Sequence, residues 1–271
     1  MLTQPIIDPI AFSLGPISVH WYGIMYLIGF GCAYWLGTQR SKTPYSPVTA
    51  EQMGDLIYYA AIGVILGGRL GYILFYDLSH YLSTPLDILK VWRGGMSFHG
   101  GFLGVLAAMA WYARHLGRSF FQLTDFIAPL VPLGLLAGRI GNFINGELWG
   151  RETDMAWGMV FHHPAAGDVV RHPSQLYEAG LEGLVLFLLL WIYSRKPRPI
   201  MAVSAVFLMG YGAFRSFVEF FRTPDEIFRS GEEQLGFIAF DWLTMGQLLS
   251  IPMIIIGGGL FYIAHKKQPI K

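Results

Sequence analysis

Seven stretches of about 20 mostly apolar residues run through the chain, near 18–38, 52–75, 97–114, 120–140, 175–194, 200–221 and 241–264. A helix rises about 1.5 Å per residue, so about 20 residues cross a hydrocarbon core of about 30 Å. The charge content agrees, because Asp, Glu, Lys and Arg make up 14% of the chain against roughly 25% in soluble domains. The expected fold is an all-α polytopic membrane protein with about seven transmembrane helices. It is read as a single integral-membrane domain over 1–271. Disorder is excluded by the high apolar content. A disulfide scaffold is excluded because Cys32 is the only cysteine. A net charge of +1 gives no global field for nucleic acid, so no nucleic-acid partner is expected.

Loop charges set the orientation. The connections after spans one, three and five hold Arg40 and Lys42, then Arg114 and Arg118, then Arg195, Lys196 and Arg198. The C-terminus adds Lys266, Lys267 and Lys271. The opposite side is acidic, with Asp8, Asp77, Asp87, Glu147, Glu152, Asp154, Asp168, Asp225, Glu226, Glu232 and Glu233. The positive-inside rule then puts the N-terminus outside and the C-terminus in the cytoplasm, which an odd number of spans requires. Met1 to Phe12 carries no Lys or Arg, so the first span reads as uncleaved, after a short exposed arm. Three longer outer segments, about 76–96, 141–174 and 222–240, are expected to form a small cap with the chemistry on that side.

Charges at membrane depth are costly and usually face a partner or a cavity. Arg69, Arg139, Arg215, Glu219, Glu178 and Glu182 sit there. Arg215 and Glu219 are four apart and share a helix face, as a packing ion pair would or a binding site would. Arg139 opens a polar run, Gly138-Arg139-Ile140-Gly141-Asn142-Phe143-Ile144-Asn145-Gly146-Glu147-Leu148-Trp149-Gly150-Arg151. Guanidinium forks match phosphate geometry, and glycines let the backbone approach a ligand. Such a strip suits a phosphate head group whose tails stay in lipid, whether or not chemistry follows. His99, in Ser97-Phe98-His99-Gly100-Gly101 at the outer mouth of span three, reads equally as a proton-exchanging group or a packed histidine. His162, His163 and His172 lack a fourth ligand and read as exposed loop residues. No metal or cofactor is expected. Cys32, among apolar neighbours, reads as packing.

Gly63, Gly67 and Gly71 recur every four residues, a spacing that lets helices approach closely in lipid. Gly-Gly-Arg-Leu-Gly-Tyr at 67–72 is echoed by Ala-Gly-Arg-Ile-Gly-Asn at 137–142. A secondary transporter for an anionic solute would also place arginines in a bundle and carry a repeat. It would need access from both faces, whereas the polar motifs here gather toward one. A non-catalytic lipid-binding assembly factor is the third reading. No Gly-x-Ser-x-Gly and no Gly-x-x-x-x-Gly-Lys-Ser/Thr is present, which leaves a nucleophile-elbow hydrolase and a nucleotide hydrolase without support.

The run Gly138-Arg139-x-Gly-Asn142-Phe143-x-Asn145-x-Glu147-x-x-Gly150-Arg151 resembles the signature of the bacterial prolipoprotein diacylglyceryl transferase family. His20-Trp21-Tyr22-Gly23, Ser97-Phe98-His99-Gly100-Gly101, His172-Pro173-Ser174-Gln175-Leu176-Tyr177-Glu178 and Tyr211-Gly212-x-x-Arg215-x-x-x-Glu219-Phe220-x-Arg222 resemble the same family in the same order. The resemblance implies transfer of the sn-1,2-diacylglyceryl group of phosphatidylglycerol to the lipobox cysteine thiol of a prolipoprotein signal peptide. A thioether would form and glycerol phosphate would leave. It also implies a multi-pass protein of the bacterial inner membrane, with its N-terminus and active site on the periplasmic side. A thiol of pKa near 8.5 is only a few per cent thiolate at pH 7, so the reaction needs a base or field for the sulfur and cations for the departing phosphate. The expected catalytic set is Arg139 and Arg215 for the phosphate and His99 for the thiol proton, with Arg139 as the alternative activator. Tyr22 and Tyr211 would donate to head-group oxygens. Asn142, Asn145 and Glu147 would bind glycerol hydroxyls or orient the arginines. Gly150, Arg151 and Glu219 complete the substrate-binding set, with Arg69, Tyr177 and Glu178 at its margin.

Overall fold

The computed structural model describes residues 2–15, 17–91, 94–224, 238, 240 and 242–267. Asp225, Glu226, Glu232, Glu233 and Lys271, with most of the expected 222–240 cap segment, lie outside the described residues. In chain order the strands are β1 (Leu2–Thr3), β2 (Ile10–Leu14), β3 (Ile17–His20), β4 (Met159–Val160) and β5 (Val170–Arg171). The helices are α1 (Trp21–Ser41), α2 (Ala50–Tyr76), α3 (Leu78–Ser83), α4 (Phe98–His115), α5 (Phe120–Ile127), α6 (Val131–Asn145), α7 (Ser174–Glu178), α8 (Leu186–Tyr193), α9 (Ala202–Val218) and α10 (Met245–Lys267). A π-helical stretch, Ala179–Val185, joins α7 to α8.

A helix stands in each of the seven apolar stretches, and the chain is mostly helical. Among the described residues three helical runs, Ala50–Tyr76, Ser174–Tyr193 and Met245–Lys266, are long and apolar enough to cross a membrane. Taking α5 and α6 as one interrupted span makes four, and α9 is apolar but shorter. The architecture is that of a membrane protein. Boundaries moved where local chemistry decided them. α2 starts at a capping box, in which Thr49 Oγ1 accepts from Gln52 N (3.2 Å) and Gln52 Oε1 accepts from Thr49 N (3.0 Å). Ser97 caps α4 by accepting from Gly100 N at 3.2 Å. The fourth stretch is broken ahead of Pro132, and its second half runs on past residue 140 to Asn145.

The chain forms two compact units, one from residues 36–126 and one from the described residues of 1–35 and 127–271. In the first, α2 and α4 pack glycine on glycine. A Cβ added to Gly63 would lie 2.6 Å from Gly104 O, and one added to Gly71 would lie 2.7 Å from Gly100 Cα. The glycine spacing in the sequence is therefore a packing face. In the second unit Ala128, Leu186, Leu190 and Val203 form a buried core, flanked by Tyr193, Phe207, Tyr211 and Phe214. The stretch read as a short exposed arm carries structure. β2 and β3 pair as an antiparallel hairpin, and β1 joins a small sheet of order β1-β4-β5.

Candidate functional site

The polar run is helical for longer than its glycines suggest. α6 continues to Asn145, so Arg139, Asn142 and Asn145 recur every three residues near its C-terminal end. Gly146, at φ 66°, then stops the helix in the left-handed region that glycine enters without a Cβ penalty. Its N–H donates to Phe143 O at 3.1 Å, and Glu147 N donates to Asn142 O at 3.0 Å. The turn folds Glu147 back onto the helix. Glu147 Oε1 accepts from Asn142 Nδ2 at 2.8 Å and from Asn145 Nδ2 at 3.3 Å. Asn142 Oδ1 in turn accepts from Arg139 NH1 at 3.4 Å. Glu147 thus fixes which way the Asn142 amide points, and the amide orients Arg139.

Arg139 Nε lies 3.0 Å from Glu178 Oε2, an ion pair without hydrogen-bond alignment. The other oxygen of Glu178 accepts from Arg215 NH1. Arg215 NH2 donates to Glu219 Oε1, four residues on, at the C-cap of α9. Glu219 Oε2 accepts from Thr244 Oγ1 at 2.7 Å. Arg222 approaches both Glu219 (3.6 Å) and Glu178 (3.8 Å). Glu178 and Glu219 are buried, whereas the Arg139 side chain keeps 21% of its surface exposed. Of the three guanidiniums, Arg139 is the most exposed. Arg139, Arg215 and Arg222 are thus gathered among three carboxylates, Glu178, Glu219 and Glu182, and guanidinium forks match phosphate geometry.

The family model for prolipoprotein diacylglyceryl transferase matches residues 9–263. The chain belongs to this family. Proteins named phosphatidylglycerol–prolipoprotein diacylglyceryl transferase are similar to it along its whole length. The protein from Ectopseudomonas mendocina is 55% identical over 100% of this chain and 99% of its own. Those from Oleidesulfovibrio alaskensis and Coxiella burnetii are 58% and 57% identical, each over 99% of this chain and over 97% and 99% of their own.

Other residues expected of a prolipoprotein diacylglyceryl transferase site fall in several places. The Tyr22 ring lies against Gly141, where an added Cβ would meet its Cδ2 at 2.9 Å, and its hydroxyl is 3.2 Å from that of Tyr26. Tyr211 is one turn before Arg215 and stacks on Phe207. Gly150 is a close-approach position, since a Cβ there would lie 2.6 Å from His172 O. Arg151 is half-buried, and burial pulls its guanidinium below the usual range while the charge of Glu219 opposes this. Tyr177 accepts from Trp157 Nε1 at 2.8 Å and meets His172 Nδ1 at 3.0 Å, a separate aromatic group outside the arginine cluster. His99 and Arg69 belong to the 36–126 unit. His99 is exposed on the first turn of α4, edge-on to Phe98. Arg69 is buried, and its guanidinium donates to the backbone carbonyls of Ile88, Gly94, Gly95, Asp87 and Lys90. The echo between 67–72 and 137–142 therefore covers two different uses of arginine, one bracing a loop and one facing a carboxylate.

Several contributors were not among the expected site residues. Gln175 Nε2 donates to Glu147 O at 2.6 Å, and Ser174 Oγ donates to Leu148 O at 3.0 Å. They hold the turn where Leu148 sits at φ 60°, a strained position for a branched residue. Glu182 is fully buried, with Oε1 3.9 Å from Arg215 NH1. His162, His163 and His172 do not assemble a metal site, and among the described residues no three His, Cys, Asp or Glu side chains do.

Proposed function

We propose that this chain transfers the sn-1,2-diacylglyceryl group of phosphatidylglycerol to the lipobox cysteine of a prolipoprotein signal peptide. It is a transferase. The cysteine sulfur attacks the glyceryl carbon, the carbon–oxygen bond to phosphate breaks, and a thioether forms. Glycerol phosphate departs, and the thiol proton passes to His99 or, where Arg139 activates the sulfur electrostatically, to the leaving phosphate. The observation that carries this reading is the pairing of Arg139 and Arg215 on one buried carboxylate, in a chain matched end to end by transferases of that name.

The arginine pair on Glu178 supports the following roles. Arg139 and Arg215, held from behind by Glu178 and Glu219, grip the lipid phosphate and stabilise the charge that grows as it leaves. Asn142, Asn145 and Glu147 orient Arg139 or bind the glycerol hydroxyls. Tyr22 and Tyr211 donate to head-group oxygens, and Arg151 and Gly150 shape the adjoining turn. His99 accepts or steers the thiol proton, and Arg69 braces its own loop. No cofactor or metal is assigned to the reaction.

The protein acts in the bacterial inner membrane as one integral-membrane domain with seven spans. Its N-terminus and the site face the periplasm, with a small cap there, and its C-terminus is cytoplasmic. The basic connections after spans one, three and five support that orientation. Purified protein mixed with phosphatidylglycerol and a cysteine lipobox peptide should add one diacylglyceryl mass to the peptide and release glycerol phosphate. Binding of the lipid without that mass gain would favour a lipid-binding factor instead, and solute uptake into vesicles a transporter.

A further inference from the structure

The N-terminal arm reaches the signature turn from outside the segment that the family model covers, which begins at residue 9. β1 pairs in parallel with β4, Leu2 opposite Met159 and Thr3 opposite Val160, and Gln4 N extends the ladder to Val160 O at 2.9 Å. This places the Gln4 side chain inside the protein, 5% exposed. Its Nε2 donates to Phe143 O at 2.6 Å, the same carbonyl that receives Gly146 N. Its Oε1 lies over Gly146, where an added Cβ would come within 2.9 Å of it. Gln4 therefore clamps the point at which α6 stops. The next residue is Glu147, whose carboxylate fixes Asn142 and, through it, Arg139. The far end of the turn is held by Gln175 on Glu147 O. Two buried amides, one from each side, thus hold the backbone of the turn that carries Glu147.

We propose that Gln4 is a positioning residue for the transfer reaction, acting through the Gly146 turn on Glu147. This rests on the function proposed above. The amide ties the arm to the carbonyl at which α6 ends, so its loss acts on the turn itself. A turn released at one end lets a carboxylate drift by a fraction of an ångström. Displacements of about 1 Å remote from the chemistry can cost about 100-fold in rate.

The test uses the full chain in detergent or nanodiscs, with Gln4→Met, which keeps the side-chain length and removes the amide. Two readouts are taken: kcat and KM for phosphatidylglycerol, and hydrogen exchange of the Gly146 and Glu147 amides. The expected result is a fall in kcat of about 10- to 100-fold, with faster exchange at both amides. In a Glu147→Gln background the same change should cost less than about threefold, because residues acting in one chain are not additive. Unchanged kcat and exchange, or an equal loss in both backgrounds, would overturn the proposal. Should Gln4→Met fail to fold, Gln4→Leu replaces it, again without the amide. Full activity there, with unchanged exchange, would be equally fatal. If the wild-type chain shows no transfer, the function reading fails, and the exchange measurement still decides whether Gln4 holds the turn.

Discussion

Arg139 and Arg215 meet on one carboxylate, the buried Glu178, which offers Oε2 to the first and Oε1 to the second. The two guanidiniums come from different helices, α6 and α9, so their spacing is set by the acid between them. A carboxylate in that place both neutralises buried positive charge and fixes the distance between two prospective phosphate ligands. Removing it should affect stability and chemistry together. Glu178→Gln leaves the guanidiniums with a neutral partner, and breaking a buried pair costs about 3–5 kcal/mol. The thermal midpoint in detergent should fall by roughly 10 °C, with transfer reduced more than about 100-fold. A variant as stable and active as the parent would remove Glu178 from both roles.

The proposed function gives the arginines, unlike Glu178, a direct contact with the lipid phosphate. Arg139→Ala and Arg215→Ala should each abolish transfer, a loss of at least about 100- to 1,000-fold in kcat, since each removes a donor from the developing phosphate charge. Lysine keeps the charge and loses the planar fork that reaches Glu178 and Glu219 from two nitrogens, so Arg215→Lys should recover little. Glycerol phosphate release from labelled phosphatidylglycerol is the assay. Normal turnover by either folded alanine variant refutes the assignment.

His172 supplies a pH dependence of stability. Burial pushes its imidazole below the usual value of 6.5, with Asp154 opposing, while Nδ1 lies 3.0 Å from the Tyr177 hydroxyl. Above 6.5 both folded and unfolded chains carry it neutral, and its contribution is fully present. As pH falls below that value the unfolded chain takes the proton first, so the contribution declines and is gone below the folded pKa. The melting temperature should therefore drop between pH 7 and about 5, and less steeply in His172→Gln. Equal slopes for parent and variant would show that His172 does not carry the dependence.

The parts of the site that could be seen in the sequence were those that are expensive where they stand. Arg139, Arg215 and Glu219 draw notice because ionised groups at membrane depth need partners. Gly63, Gly67 and Gly71 did so through their spacing. Glu182 was noticed as a charge but not as a neighbour of Arg215, because only the packing of the π-helical stretch against α9 brings them together. Ser174 and Gln175 stand in the family-like run 172–178 without a role of their own, and Gln4 lies outside every motif. Each acts by donating to a carbonyl between 26 and 139 residues away, and an amide in a loop or arm gives no periodic signal. The strands β1, β4 and β5 have two residues each, too few to show alternation. The break between α5 and α6 was missed because apolar content runs on through it.

His99 tests the other half of the chemistry. It is exposed on the first turn of α4, so it is available to a visiting thiol without unpacking anything. If it takes the thiol proton, His99→Gln should lower kcat by about 100-fold or more and flatten the acid limb of the pH–rate curve. Retained activity with the same pH profile would end the base role and leave Arg139 to activate the sulfur electrostatically.

The glycine face of the 36–126 unit gives a stability prediction with an internal control. A Cβ on Gly63 would stand 2.6 Å from Gly104 O, and one on Gly67 would stand 2.8 Å from Gly104 Cα. These atoms are backbone and cannot rotate away, so α2 and α4 must separate. Overpacking of this kind costs about 1–3 kcal/mol or more, and Gly63→Val should lower the melting temperature by several degrees. Gly258 in α10 has open space where its Cβ would go. Gly258→Ala should be neutral or stabilising by up to about 1 kcal/mol, since alanine is the better helix former. Similar midpoints for the two variants would mean that close backbone approach does not hold α2 against α4.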